Sequence, residues 1–67
     1  MKNQSEYINI IKTIKKEIPF VDIKPYSHNI INLELRILGK KFGEDEVKQI
    51  ISETDLKYLG WGYILDD

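Results

Sequence analysis

Residues 26–54 read YSHNIINLELRILGKKFGEDEVKQIISET, and they hold a helix, a glycine hinge and a second helix that starts almost at once. At 100° per residue, Ile31, Leu35, Leu38 and Phe42 fall on one side of the first helix. Ile30, Leu33 and Ile37 form a second apolar group beside it. Together they cover roughly 200° of the circumference, about twice what a surface helix needs to face a core. A helix of this kind is the centre of a fold, with neighbours on both sides. Ser27 reads as its N-cap, and Tyr26 with Ile31 as a hydrophobic staple across the entry. Gly39 costs about 1 kcal/mol relative to alanine inside a helix, which implies either close approach by a neighbour or a kink. Gly43 can supply left-handed geometry at the end of this helix or cap the next. Glu44, Asp45 and Glu46 then lie at the positive end of the second helix dipole. Glu46 holds the capping-box position, Phe42 and Val47 can staple the junction, and Val47, Ile50 and Ile51 face inward.

The flanking segments read as packing onto this hairpin. Tyr7, Ile11, Ile14 and Ile18 recur at helical spacing, with Ile8 and Ile10 widening the stripe. They predict a helix over 4–18, opened by an Asn3/Glu6 capping box and stopped by Pro19. Residues 19–26, PFVDIKPY, carry two prolines and read as an extended connector lying across the core. The alternation of Val21 and Ile23 with Asp22 and Lys24 also suits a short edge strand. Thr54 or Asp55 can cap a last helical turn near 55–59, which Gly60 ends. Trp61, Tyr63, Ile64 and Leu65 follow and are too apolar for a frayed end. The expected fold is therefore all-α. It is a small three-helix bundle with helices near 4–18, 27–42 and 44–53, a C-terminal turn near 55–59, and a docked aromatic tail that leaves Asp66 and Asp67 in water.

The 67 residues suffice for one domain, 1–67, near the lower limit for folding on a single core. Hydrophobic residues make up 42% and charged residues 31%, a globular balance rather than a disordered one. The absence of cysteine removes disulfides, thiolate metal sites and cysteine nucleophiles together. No apolar run is long enough to span a bilayer, and the N-terminus lacks the apolar core of a signal peptide. The expected location is cytoplasmic, with no membrane partner. Isoleucine occurs twelve times and lysine nine times against one arginine, a bias of AT-rich coding DNA such as that of low-GC bacteria, phages and plasmids. Charge is segregated under a net value of -1. Residues 1–43 hold eight Lys/Arg and four Asp/Glu (+4), whereas residues 44–67 hold two Lys and seven Asp/Glu (-5). Such segregation suits a charged partner, internal docking or self-association.

The helix–glycine–helix junction invites comparison with a helix-turn-helix DNA reader. Its second helix, however, would present Glu44, Asp45 and Glu46 to the groove, the wrong sign for a phosphate-lined surface. A basic face of Lys12, Lys15, Lys16, Arg36, Lys40 and Lys41 offers a weaker route to nucleic acid. Glu34 lies between the two apolar groups of the central helix. It must be paired, protonated or directed outward, because an unpaired buried carboxylate costs several kcal/mol. A lysine, a tyrosine or the Trp61 indole is its expected structural partner, and its functional alternatives are a polar key in a partner's groove or a tuned carboxylate. His28 beside Ser27 reads as a first-turn polar residue, since a catalytic pair needs an orienting carboxylate in space. The glutamate run does not match a calcium loop, and no second imidazole accompanies His28. Tyr58, Trp61 and Tyr63 form an aromatic cluster that serves either as a core plug or as an interface anchor.

These readings converge on a non-enzymatic protein-interaction module without cofactor or metal, of the kind that regulates or inhibits a host system from a phage or plasmid. Its candidate binding residues are Trp61, Tyr63, Tyr58, Glu34, Arg36 and Lys40. Self-assembly into a homo-oligomer is the alternative, because an over-apolar central helix on a marginal core is readily completed by a symmetry mate. A nucleic-acid accessory protein using the helix-one lysines is a third reading, and nucleic acid is the less expected partner.

Overall fold

The computed structural model describes residues 4–66, including the backbone but not the side chain of Asp66. Helix α1 spans Gln4–Glu17, α2 Pro25–Phe42, α3 Glu44–Glu53 and α4 Leu56–Leu59; 3-10 turns cover Ile18–Phe20 and Gly62–Asp66. No strand occurs among the described residues. The all-α bundle expected from the sequence is the fold. The expected Asn3 cap, and the solvation of the last two aspartates, lie outside the described residues.

The core draws on every helix. Ile10 and Ile14 come from α1, Ile31, Leu35, Leu38 and Phe42 from α2, Val47, Ile50 and Ile51 from α3, and Leu56 and Trp61 from the C-terminal segment. The first apolar group of α2 is thus the buried one.

Two local expectations are corrected at the start of α2. Pro25 occupies the first helical turn, where its missing N–H is not needed. Lys24 before it is extended at φ -109°, ψ 123°, as the residue preceding proline prefers. Ser27 is therefore not a cap. It lies within the helix, fully buried, and its hydroxyl donates to Glu17 Oε1 at 2.8 Å. The Tyr26–Ile31 staple does not form either, because Ile31 is buried while Tyr26 is 62% exposed.

The connector is neither extended nor a strand. The chain continues right-handed through Val21, with amide–carbonyl bonds from Val21 to Ile18 (3.3 Å), Ile23 to Phe20 (3.0 Å) and Lys24 to Phe20 (2.7 Å). A 3-10 turn accepts Pro19 in its first positions for the same reason that α2 accepts Pro25. Val21 packs on the core, but Ile23 is 74% exposed.

Gly43 serves both helices at the hinge. Its N–H donates to Gly39 O at 3.1 Å, and its carbonyl accepts the Glu46 N–H at 3.2 Å. Because Gly39 takes the Gly43 amide, Glu46 has no capping-box role. Its carboxylate accepts instead the Tyr7 hydroxyl at 2.8 Å, tying α1 to α3. The Gly43 dihedrals, φ 102° and ψ 158°, belong to glycine alone. At Gly39 an added Cβ would stand 3.4 Å from Val47 Cγ2, an ordinary contact. At Gly62 it would stand 2.6 Å from the Lys57 carbonyl oxygen, which is backbone.

The three glycines should therefore respond with different signs. Gly39→Ala should gain up to about 1 kcal/mol from helix propensity, raising the thermal midpoint by about 4–8 °C. Gly43→Ala should lose about 1–3 kcal/mol through backbone strain. Gly62→Ala should also destabilise, through the clash with Lys57. Thermal melts of the three variants check this ordering, and a destabilised Gly39→Ala would contradict the packing described at that position.

Candidate functional site

The chain's surface chemistry is arranged around α2. The second apolar group of this helix is only partly covered, with Ile37 packed against the edge of the core. Leu33 is 55% and Tyr26 62% exposed, and Ile30 and Ile37 between and beyond them are half-buried. These four residues follow one another at spacings of 4, 3 and 4, which holds them in one line along the helix. On one flank of this line lies Glu34, and on the other Arg36 and Lys40, both exposed.

Glu34 has none of its expected partners. It is half-buried, and it lines an open groove of about 470 Å³ between α1 and α2 with Ser5, Asn9, Thr13 and Ile37. No hydrogen bond or ion pair reaches it among the described residues, and no buried side-chain oxygen there lacks a partner. Its carboxylate is thus directed outward through a gap between the helices. The nearest lysine in sequence on that flank, Lys41, is engaged by Glu6 of α1. The Trp61 indole, another expected partner, donates elsewhere.

Arg36 and Lys40 also border a second groove of about 440 Å³, with Leu35, Gly39, Val47 and Ile64 as its apolar floor and Lys48 and Glu44 opposite. The basic residues expected on one face are in fact divided. Lys12 and Lys15 line a third groove, between α1 and α3, with Tyr7, Ile8 and Glu53. Lys41 is held by Glu6 of α1.

The aromatic trio is split by the fold. Trp61 is 1% exposed, its indole N–H donates to Asn32 Oδ1 at 2.7 Å, and the His28 ring stacks on it at 4.2 Å and 27°. His28 is thus a lid on the tryptophan rather than a free first-turn residue. Trp61 closes the core, so its ring does not form part of an outer surface. Tyr58 and Tyr63 are 78% and 67% exposed, and Lys57 Nζ lies 4.9 Å from the Tyr58 ring centre. Lys57 also donates to the carbonyls of Ser52 (2.9 Å) and Thr54 (3.2 Å), closing the C-terminus of α3. Thr54 takes the capping role expected of Thr54 or Asp55, accepting the Leu56 N–H at 3.3 Å.

Sequence reasoning missed Tyr26 and Leu33 as surface residues. Leu33 was visible as a member of the second apolar group, whereas Tyr26 was assigned to the staple. Asn32 carried no signal, since its partner is 29 residues away.

No cluster of three potential metal ligands is placed to hold an ion among the described residues, and none of their helices is long and apolar enough to cross a membrane. No protein-family model and no solved structure matches the chain. A stretch of 55 residues, 82% of the chain, is 38% identical to an uncharacterised protein of Acanthamoeba polyphaga mimivirus. The chain spans 6% of the length of that relative.

Two outcomes follow. Trp61→Ala should cost about 3–5 kcal/mol, a large part of the stability of a small domain, and show in denaturant midpoints. Tyr58→Ala and Tyr63→Ala should each stay within about 1 kcal/mol of the parent, so only they probe a surface. The Tyr7 hydroxyl has its pKa raised above the ordinary 10.0, first by its hydrogen bond to Glu46, then by burial and by the charges of Glu46 and Glu53. The folded state therefore holds this proton more tightly than the unfolded chain. The stability it contributes is complete below the ordinary value and is lost as pH rises through the folded value. Urea midpoints at about pH 9 and about pH 11 should fall more for the parent than for Tyr7→Phe. Parallel behaviour of the two would remove this contribution.

Proposed function

We propose that this chain is a non-enzymatic protein-interaction module that docks through the outward face of α2. The observation that carries this reading is the apolar line of Tyr26, Ile30, Leu33 and Ile37, in which Tyr26 and Leu33 are more than half exposed and Ile30 and Ile37 are half-buried. Contiguous exposed apolar surface on a soluble domain marks interaction sites, whereas scattered residues do not. The flanking charges support the same reading. Charged rims around an apolar centre select partners and orientation more than they add affinity.

A regulator or inhibitor carried by a mobile element would be one use of such a face. A nucleic-acid role draws less support, because Lys12 and Lys15 are separated from Arg36 and Lys40 and three carboxylates stand at the start of α3.

Site-specific photocrosslinking in cells tests the reading. A benzophenone side chain at position 33 should trap protein adducts, and the same group at position 16, on the exposed lysine side of α1, should not. Equal yields at the two positions, or no adduct at position 33, would remove the docking assignment.

A further inference from the structure

We infer that the groove between α2 and α3 binds a short acidic peptide segment in which one apolar residue stands between carboxylates. The groove lies on the Arg36 and Lys40 flank of α2, and its assignment does not depend on the docking line described above. Its volume of about 440 Å³ falls in the range of ligand-sized clefts.

Three cations stand on its two walls. Arg36 and Lys40 lie one turn apart on α2, about 6 Å along the axis, and Lys48 faces them from α3. None of the three forms an ion pair among the described residues, although Glu44 stands one turn before Lys48 on the same wall. The groove thus holds three unpaired positive charges against one negative. Charges spread along one wall and across to the other match several carboxylates on one ligand better than a single one. Between the walls, Leu35, Val47 and Ile64 form an apolar floor, which a purely ionic ligand would leave unused. Successive side chains of an extended chain point to opposite sides. An apolar residue directed at the floor therefore turns its two neighbours away from it, toward the rims where the cations stand.

Gly39 points to the same groove. It lines the floor from within α2, where glycine costs about 1 kcal/mol against alanine. An added Cβ would meet only Val47 Cγ2, at 3.4 Å, so packing does not require the glycine. The backbone does not require it either, because its φ is not positive. What the missing side chain leaves open is the groove, since Val47 is part of the floor. A helix that gives up propensity to keep a floor open is shaped for an occupant.

Fluorescence anisotropy on the full chain tests the site with a defined probe, a fluorescein-labelled, end-capped peptide with leucine between two glutamates. The probe should bind saturably, and more weakly as salt rises. Arg36→Gln and Lys48→Gln should each weaken it about two- to fivefold, the worth of one exposed ion pair. Glu44→Gln should strengthen it by a similar factor, because it removes the carboxylate from the groove. Gly39→Ala should weaken binding about fivefold by filling the floor. The same variant should raise the thermal midpoint, so misfolding cannot account for the loss. No saturation up to about 1 mM probe would overturn the inference. So would an unchanged affinity in Gly39→Ala, or equal binding of a peptide with lysine in place of the glutamates. A probe with serine in place of leucine should bind more weakly; equal binding would show a general anion site and overturn the peptide assignment. Photocrosslinking at position 33 reports on the apolar line instead, so either assignment can fail without the other.

Discussion

Helix α2 carries more apolar surface than a chain of 67 residues can cover, and the rest of the molecule follows from that imbalance. A domain of this size buries only about three-fifths of the surface its unfolded chain exposes. Two short helices and a tail can enclose one side of α2, and they do so around Ile31, Leu35, Leu38 and Phe42. The other side, with Leu33 and Tyr26, remains in contact with water. The two apolar groups are equivalent in helical periodicity. What separates them is the supply of covering residues, which runs out after the first.

The side that is covered is closed by long-range polar contacts placed at its edges. Ser27 and Glu17 join the start of α2 to the end of α1, Tyr7 and Glu46 join α1 to α3, and Trp61 and Asn32 join the tail to α2. Each satisfies a polar group that burial would otherwise leave costly. Trp61 supplies the bulk that a core of isoleucine and leucine lacks, and its N–H would be an orphan without Asn32. His28 completes the enclosure by stacking on the indole face from the first turns of α2. The tail is thus a structural part of the bundle, fixed in place by Gly60 and by the close passage of Gly62 over the Lys57 carbonyl.

The parts of this fold that depend on neighbouring residues were legible in the sequence. Periodicity placed all three main helices, and Gly43 marked the hinge because no other residue suits its backbone. The errors share one cause. A proline can end an extended connector or open a helix, and the choice at Pro25 depends on what packs around it. Ser27 resembled a cap because capping is what serine does locally. Its actual bond is to Glu17, ten residues away, across an interface that no local pattern specifies. The aromatic trio could be located but not sorted into core and surface, because that division depends on Asn32 and His28. Arg36 and Lys40 were legible as exposed cations, but their place between two grooves required the packing of α3.

Glu34 is the residue at which local pattern and fold disagree most, and such disagreements concentrate where a structure is shaped for something besides stability. A half-buried carboxylate beside Ile37 contributes nothing to the core of an isolated bundle. An uncharged residue there would pack at least as well, since replacing a charge by an apolar group of similar volume is often neutral or stabilising. Lys41 lies on the same flank, yet its ammonium turns to Glu6 on α1 and leaves Glu34 to solvent. Water access removes most of the penalty, so the carboxylate costs the bundle little. What it adds is a sign on one flank of an apolar line whose other flank carries Arg36 and Lys40. An apolar line alone accepts many partners in either direction. On the docking reading, opposite charges on its two sides would discriminate among partners, because a wrongly oriented one would meet like charge while shedding water. Glu34 would thereby give the proposed docking face a direction that its apolar residues alone do not supply.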